Sequence, residues 1–125
     1  MEYSISKIKS FTDLEVWRES HKLVLMIYGL TKSFPREETF GLISQLRRAA
    51  VSITSNIAEG FSRHSAKEKI QFYSISHGSL TELQNQILIA RDIKYINSED
   101  FDNLSKQSIV VHKLLNAFIK KTREF

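Results

Sequence analysis

The sequence predicts an all-α fold, an antiparallel up-down-up-down four-helix bundle, on three observations. Apolar residues recur every three or four positions in four separate blocks, the spacing of one face of a helix. Each block begins or ends on readable capping or breaking residues. Finally, one Pro and four Gly in 125 residues leave little turn chemistry for an all-β chain. A chain of this length is expected to form one domain, residues 1–125, with residues 1–11 as a flexible N-terminal arm.

The first helix is expected from about Asp13 to Ser33. Thr12 and Glu15 have the T-x-x-E spacing of a capping box, in which hydroxyl and carboxylate each satisfy a free amide. Leu14, Trp17, His21, Val24, Leu25 and Tyr28 form one stripe, and Leu23, Ile27, Leu30 and Phe34 a second. Pro35 then biases its predecessor away from helix.

The second helix should start near Glu37–Thr39 and end at Gly60, a residue suited to the left-handed position after a helix. Leu42, Leu46, Ala49, Ile53 and Ile57 line one side, and Ile43, Ala50, Thr54 and Ala58 another. Its polar positions are small (Ser44, Ser52, Ser55, Asn56), which suits close approach of neighbouring helices.

A second capping box, Ser65-Ala66-Lys67-Glu68, opens the third helix, which should continue to Arg91 or Asp92. Tyr73, Ser76, Leu80, Leu83, Ile87 and Ala90 follow the three–four alternation of a bundle seam. Gly78 interrupts that pattern at a cost of about 1 kcal/mol relative to Ala; a close backbone crossing there would compensate. The fourth helix follows an Asn97–Ser98 cap, and Phe101, Leu104, Ser108, Val111, Leu115 and Phe118 repeat along it. Its first turn is acidic (Glu99, Asp100, Asp102) and its end basic (Lys120, Lys121, Arg123), which complements the helix dipole. Short links between four long helices make each an antiparallel neighbour of the next.

Composition closes several function classes. With no Cys there are no disulfides, thiolate metal sites or thiol nucleophiles. The longest apolar run, Leu23–Leu30, is far below the ~20 residues of a membrane span. Met1–Phe11 has no signal-peptide core, so a soluble, cytoplasmic protein with no membrane partner is expected.

No nucleophile elbow, Walker loop or dinucleotide fingerprint occurs. A di-iron bundle needs Glu three residues before His; Arg18, Phe61, Ser74 and Ile109 stand there before His21, His64, His77 and His112. His21, His77 and His112 could meet inside the bundle, although ordinary hydrogen-bonded histidines are the simpler expectation. Glu59 and Glu82 lie near apolar stripes, with Arg47, Arg48 and Arg91 as candidate partners. No catalytic residue, metal site or cofactor is expected.

The remaining candidates are basic. Arg47 and Arg48 adjoin on the second helix; Arg63, His64, Lys67 and Lys69 surround the turn into the third. If the two groups approach one another, Arg47, Arg48, Arg63, Lys67 and Lys69 would form a phosphate-binding surface, with Arg supplying planar forks and the third helix free amides. The alternative is solvated side chains and intrahelical pairs. Dipole compensation is enough to explain Lys120, Lys121 and Arg123. Trp17, Tyr28, Phe40, Phe72, Tyr73, Phe101 and Phe118 are expected in the core. The first two helices carry more apolar positions than one bundle face needs, and monomers seldom expose such patches. A homo-oligomer is therefore expected.

The segments Phe11–Trp17 (FTDLEVW), Phe34-Pro35, Phe40–Ala50 (FGLISQLRRAA), Ser52–Gly60 (SITSNIAEG) and Gly78–Leu83 (GSLTEL) resemble those of the four-helix-bundle family encoded in intervening sequences of bacterial 23S rRNA genes. The resemblance spans Phe11 to about Phe118. It implies the same fold and a ring-shaped homopentamer, which would cover the second apolar stripes. The family's relatives include the accessory variability protein of diversity-generating retroelements, a basic pentamer that engages a reverse transcriptase and structured RNA. By resemblance, the expected partners are other copies of the chain and structured RNA or a reverse transcriptase. The net charge of +4 is modest, but five copies would gather about +20.

Overall fold

The computed structural model describes residues 8–124. A 3-10 turn at Phe11–Asp13 leads into α1 (Glu15–Thr31), and a second at Arg36–Glu38 precedes α2 (Leu42–Phe61). After these come α3 (Ala66–Asp92) and α4 (Ser98–Arg123). The four expected helices are therefore present, and no strand occurs among the described residues.

The contacts give the direction of packing. Between α2 and α3, Ser52 hydrogen-bonds Ser79 at 2.7 Å, Ser76 Oγ donates to the Ile53 carbonyl at 2.8 Å, and Gly60 lies against Tyr73. Between α3 and α4, Tyr73 meets Phe118, His77 meets His112, and Gln84 reaches Ser108. In both sets residue numbers rise on one helix as they fall on the other, so these neighbours are antiparallel. Helix α1 contacts both α2 and α4 and closes the bundle. On the α4 side, Gln107 Nε2 donates to the Glu19 backbone carbonyl at 2.8 Å and to its carboxylate at 3.0 Å.

Helix ends follow local chemistry. Asn97 Oδ1 accepts the Asp100 amide at 2.7 Å as the sequence predicts. Ser65 Oγ accepts that of Glu68, although the expected box is only half formed, because the Glu68 carboxylate meets the Ser65 hydroxyl and not its amide. At the start of α1 the expected Thr12–Glu15 box gives way to Ser10 and Asp13. Ser10 Oγ accepts the Thr12 amide, and Asp13 Oδ2 accepts the amides of Lys9 and Ser10. A 3-10 turn intervenes, so the cap lies upstream and α1 starts at Glu15. Those amides, with Arg18 adding to them, hold the Asp13 carboxyl below its ordinary pKa. Of the expected flexible arm, residues 1–7 lie outside the described residues, while Lys9, Ser10 and Phe11 are tied to the fold.

The start of α2 also moves. Glu37–Thr39 forms the end of the 3-10 turn, and Glu38 Oε1 accepts the amide of Leu42, the first helical residue. The other Glu38 oxygen accepts the Tyr95 hydroxyl at 2.9 Å, joining the α1–α2 and α3–α4 connections.

Two expectations about glycine fail. Gly60 does not adopt a left-handed conformation; it lies in the last turn of α2, where an added Cβ would stand 2.6 Å from the Tyr73 ring. The close crossing expected at Gly78 is thus at Gly60, and nothing lies within 4 Å of a Cβ built at Gly78. The left-handed residue is Lys94, with φ 68°. Around it the Tyr95 amide donates to the Ala90 carbonyl and the Lys94 amide to that of Arg91, the paired bonds of a Schellman motif.

The core takes Tyr73, Ser76, Leu80, Leu83, Ile87 and Ala90 from α3, as expected. From α1 it takes Val16, Ser20, Leu23, Val24, Ile27 and Thr31. Of the first expected stripe only Leu14 and Val24 are buried, while His21, Leu25 and Tyr28 face outward. Ser20 and Thr31 replace them because their hydroxyls donate to the carbonyls of Val16 and Ile27, each at 2.7 Å. Phe40, expected in the core, is 96% exposed.

Gly60→Ala should lower stability by about 1–3 kcal/mol through overpacking on Tyr73. Gly78→Ala should raise it by up to about 1 kcal/mol; denaturant titration checks both. Burial pushes the Tyr73 phenol up from 10.0 to about 12. The unfolded chain loses this proton first as pH rises, so the contribution is complete below pH 10.0 and is lost toward about pH 12. The loss should be about 2–3 kcal/mol. Stability measured across that range should fall more steeply in the parent than in Tyr73→Phe.

Candidate nucleic-acid interface

The five basic candidates occupy two separate places. Arg47 and Arg48 lie near the start of α2, and Arg63, Lys67 and Lys69 surround the α2–α3 turn. With a rise of 1.5 Å per residue, the helix separates Arg47 from Phe61 by about 21 Å. The two groups therefore do not merge into one surface.

Local partners distinguish the five further. Arg47 is half-buried: its Nε donates to Thr31 Oγ1 at 2.9 Å, a second guanidinium nitrogen reaches the Tyr28 carbonyl at 3.5 Å, and its carbon sits 4.5 Å from the centre of the Tyr28 ring. It therefore serves the carbonyl end of α1, where positive charge is favourable. Arg48 is exposed. Arg63 pairs with Glu59 at 2.9 Å and lies over the Phe72 ring, while its Nε is buried with no hydrogen-bond partner among the described residues. Lys69 donates to the carbonyls of Phe61 (2.8 Å) and Gly60 (3.5 Å) and so caps α2. Partial burial lowers its pKa. Lys67 is exposed on the first turn of α3.

The acidic candidates are not buried. Glu59 and Glu82 are both exposed; Glu59 pairs with Arg63, and neither meets Arg47, Arg48 or Arg91. Arg91 instead bonds Asp92 at 2.8 Å and covers the Phe101 ring. The three histidines do not converge. His21 stacks on Trp17, whereas His77 and His112 have ring centres 5.0 Å apart. No group of three or more His, Asp or Glu side chains among the described residues is placed to share a metal ion. No described helix is long and apolar enough to cross a membrane.

Antiparallel packing reveals a charge asymmetry that a linear reading misses. In the half of the bundle holding the α1–α2 and α3–α4 connections, Lys and Arg are balanced by acids such as Glu37, Glu38, Glu99, Asp100 and Asp102. The net positive charge of residues 8–124 gathers in the other half, where the start of α3 adjoins the end of α4. That half brings Lys67 and Lys69 together with Lys113, Lys120, Lys121 and Arg123. Residues some fifty positions apart meet there, and only the helix register could have paired them.

A different surface is apolar. Trp17, His21, Leu25 and Tyr28 follow one another up the outer side of α1, on the flank where Arg47 of α2 reaches over. Leu25 is 59% exposed, and Tyr28 and Val51 are 38% exposed. Phe40, in the α1–α2 connection, is exposed too, and so are Ile75, Leu88 and Ile89 of α3 and Ile109 and Val110 of α4.

The class defined by this geometry is an all-α four-helix bundle with one basic end and exposed apolar side chains on its helices. A family model described as 23S rRNA-intervening sequence protein matches residues 12–117, and the chain belongs to that family. A solved structure of similar fold is a protein of unknown function of the S23 ribosomal protein family from Bacteroides thetaiotaomicron. It is 24% identical, covers 84% of this chain and 98% of its own length, and superposes with a TM-score of 0.78. No curated protein matches the chain.

The differing surroundings of the two adjacent arginines have a measurable consequence. Arg47→Ala should cost about 1–2 kcal/mol, because Thr31 and the end of α1 lose a charged donor. Arg48→Ala should stay within about 0.5 kcal/mol of the parent. Thermal or denaturant unfolding of the two variants side by side checks the contrast.

Proposed function

We propose that this protein is a non-enzymatic, self-associating bundle of the cytoplasm that binds structured RNA through its basic end. What carries the reading is the combination of exposed apolar side chains, among them Leu25, Tyr28 and Val51 on α1 and α2, with an excess of positive charge at one end. Leu25, Tyr28, Val51 and Phe40 form the kind of apolar patch that a second copy covers. A ring of five copies, the arrangement implied by resemblance, would hide these flanks and set several basic ends in one assembly. Each subunit then contributes a few weak phosphate contacts, and their number multiplies the affinity.

Among the residues first expected to bind phosphate, Lys67 remains best placed, since it is exposed at the basic end; Arg48 is exposed as well but lies in the opposite half of the bundle. Arg63 and Lys69 stand at the basic end, but each already has an internal partner. Arg47 contributes mainly to stability.

One observation favours a second reading, a protein–protein scaffold without nucleic-acid binding. Arg47, Arg63 and Lys69 are engaged with carbonyls, a carboxylate or aromatic rings, as structural cations are.

Light scattering at micromolar concentration should give a mass several times that of one subunit, and Leu25→Asp with Phe40→Asp should reduce it. A stable single-subunit mass in the parent removes the self-association reading. A fluorescence titration with a structured RNA should show binding at low salt that weakens steeply as salt rises. Binding absent at low salt, with the assembly intact, leaves the scaffold.

A further inference from the structure

The basic end contains a cleft between α3 and α4 that none of the expected sites includes. Its volume is about 280 Å³, and its lining consists of Ser74, His77, Asn116, Ile119 and Arg123. Four of these five side chains present hydrogen-bond donors: a hydroxyl, an imidazole N–H, a carboxamide and a guanidinium. No carboxylate lines it. Glu68, Glu82 and Glu124, the acids nearest in sequence, are absent from its walls. The His77 ring also packs against that of His112 of α4 in a T-shaped arrangement.

We infer that this cleft seats a phosphate of the RNA backbone, with Arg123 as the charged fork and Ser74, His77 and Asn116 as further donors around it. The inference rests on the RNA-binding reading above and supplies that reading with a defined contact. Phosphate suits this set of groups: its oxygens accept several hydrogen bonds at once, and a guanidinium can engage two of them in parallel.

The wider surface continues the same chemistry. Lys67 lies two turns before Ser74 on the same face of α3. Lys120 and Lys113 precede Arg123 on α4, and both are exposed. None of these three lysines, nor Arg123, takes part in an ion pair among the described residues. The cations therefore flank the cleft along both helices, as a track for a chain of phosphates would require. One opposing effect is the carbonyl end of α4, whose dipole repels an anion. That field is confined to about the last turn and equals roughly half a charge, so Lys120, Lys121 and Arg123 outweigh it there.

The test is an anisotropy titration of the full chain with a labelled RNA hairpin, at low salt and at severalfold higher salt. Arg123→Gln and His77→Ala are compared with Arg48→Ala, which alters the opposite end of the bundle. Circular dichroism and light scattering verify that each variant keeps its helices and its assembly, and Asn116→Ala replaces any that does not. Arg123→Gln should weaken binding about tenfold at low salt and make the salt slope shallower by about one. His77→Ala should weaken it about threefold, and Arg48→Ala should change it less than twofold. If the parent binds with a steep salt dependence and the cleft variants bind equally well, the cleft is wrong while RNA binding stands. If the parent does not bind the hairpin at low salt, the RNA reading fails. Inorganic phosphate then tests the cleft separately: unmoved His77 ring resonances at tens of millimolar phosphate would overturn it too.

Discussion

The packing of α2 on α3 is the constraint on which the other parts of the bundle depend. Side chains on the facing sides are small or flat: Ala49, Ser52, Gly60, Ser76 and Ser79, with the Tyr73 ring lying where a Cβ at Gly60 would go. This lets the two axes come close, and these two helices share the most extensive contact in the molecule. Close packing alone would bury hydroxyls at a cost. Here each has a partner, Ser76 on the Ile53 carbonyl and Ser52 on Ser79. The seam thereby sets the register of α3, and through Tyr73 and His77 that of α4. The cleft at the basic end is a product of that register.

Much of this is readable in the chain, for reasons that differ between elements. Helix α3 buries all six of its expected seam positions, although Ile75, Leu88 and Ile89 are exposed elsewhere on it and the polar Gln86 joins the buried set without a sequence signal. Two stripes compete in α1, and the wrong one looks stronger. Trp17, Leu25 and Tyr28 are more apolar than Ser20 and Thr31, yet the latter enter the core. A hydroxyl on a helix can return its hydrogen to the carbonyl one turn back, so Ser and Thr reach the interior already satisfied. Hydrophobicity by position does not show this.

The glycines illustrate a related limit. A glycine near a helix end is usually read as a left-handed terminator, and Gly60 has that position. Its actual constraint is the volume of a ring thirteen residues further along the chain. The left-handed position falls on Lys94, whose side chain makes that conformation costly by about 1–2 kcal/mol. No local signal marks it. The Schellman bonds and the packing of Tyr95 on Phe34 hold it in place.

Cations are the hardest residues to interpret from a sequence, because charge does not reveal its occupation. Arg47 and Arg48 are neighbours of the same type, yet one holds the end of α1 and the other meets solvent. Lys69 looks like a surface charge and serves as a helix cap. The run Lys120, Lys121, Arg123 looks like ordinary dipole compensation until folding sets it beside Ser74 and His77.

The bond between Glu38 and Tyr95 gives the two ends of the bundle unequal rigidity. It clasps both upper connections across 57 residues of chain, so thermal fraying there must release two loops together. Among the described residues no side-chain hydrogen bond ties the α2–α3 turn to α4. A ligand that bridges α3 and α4 at that end would therefore link two helices that the chain itself connects only at the far end.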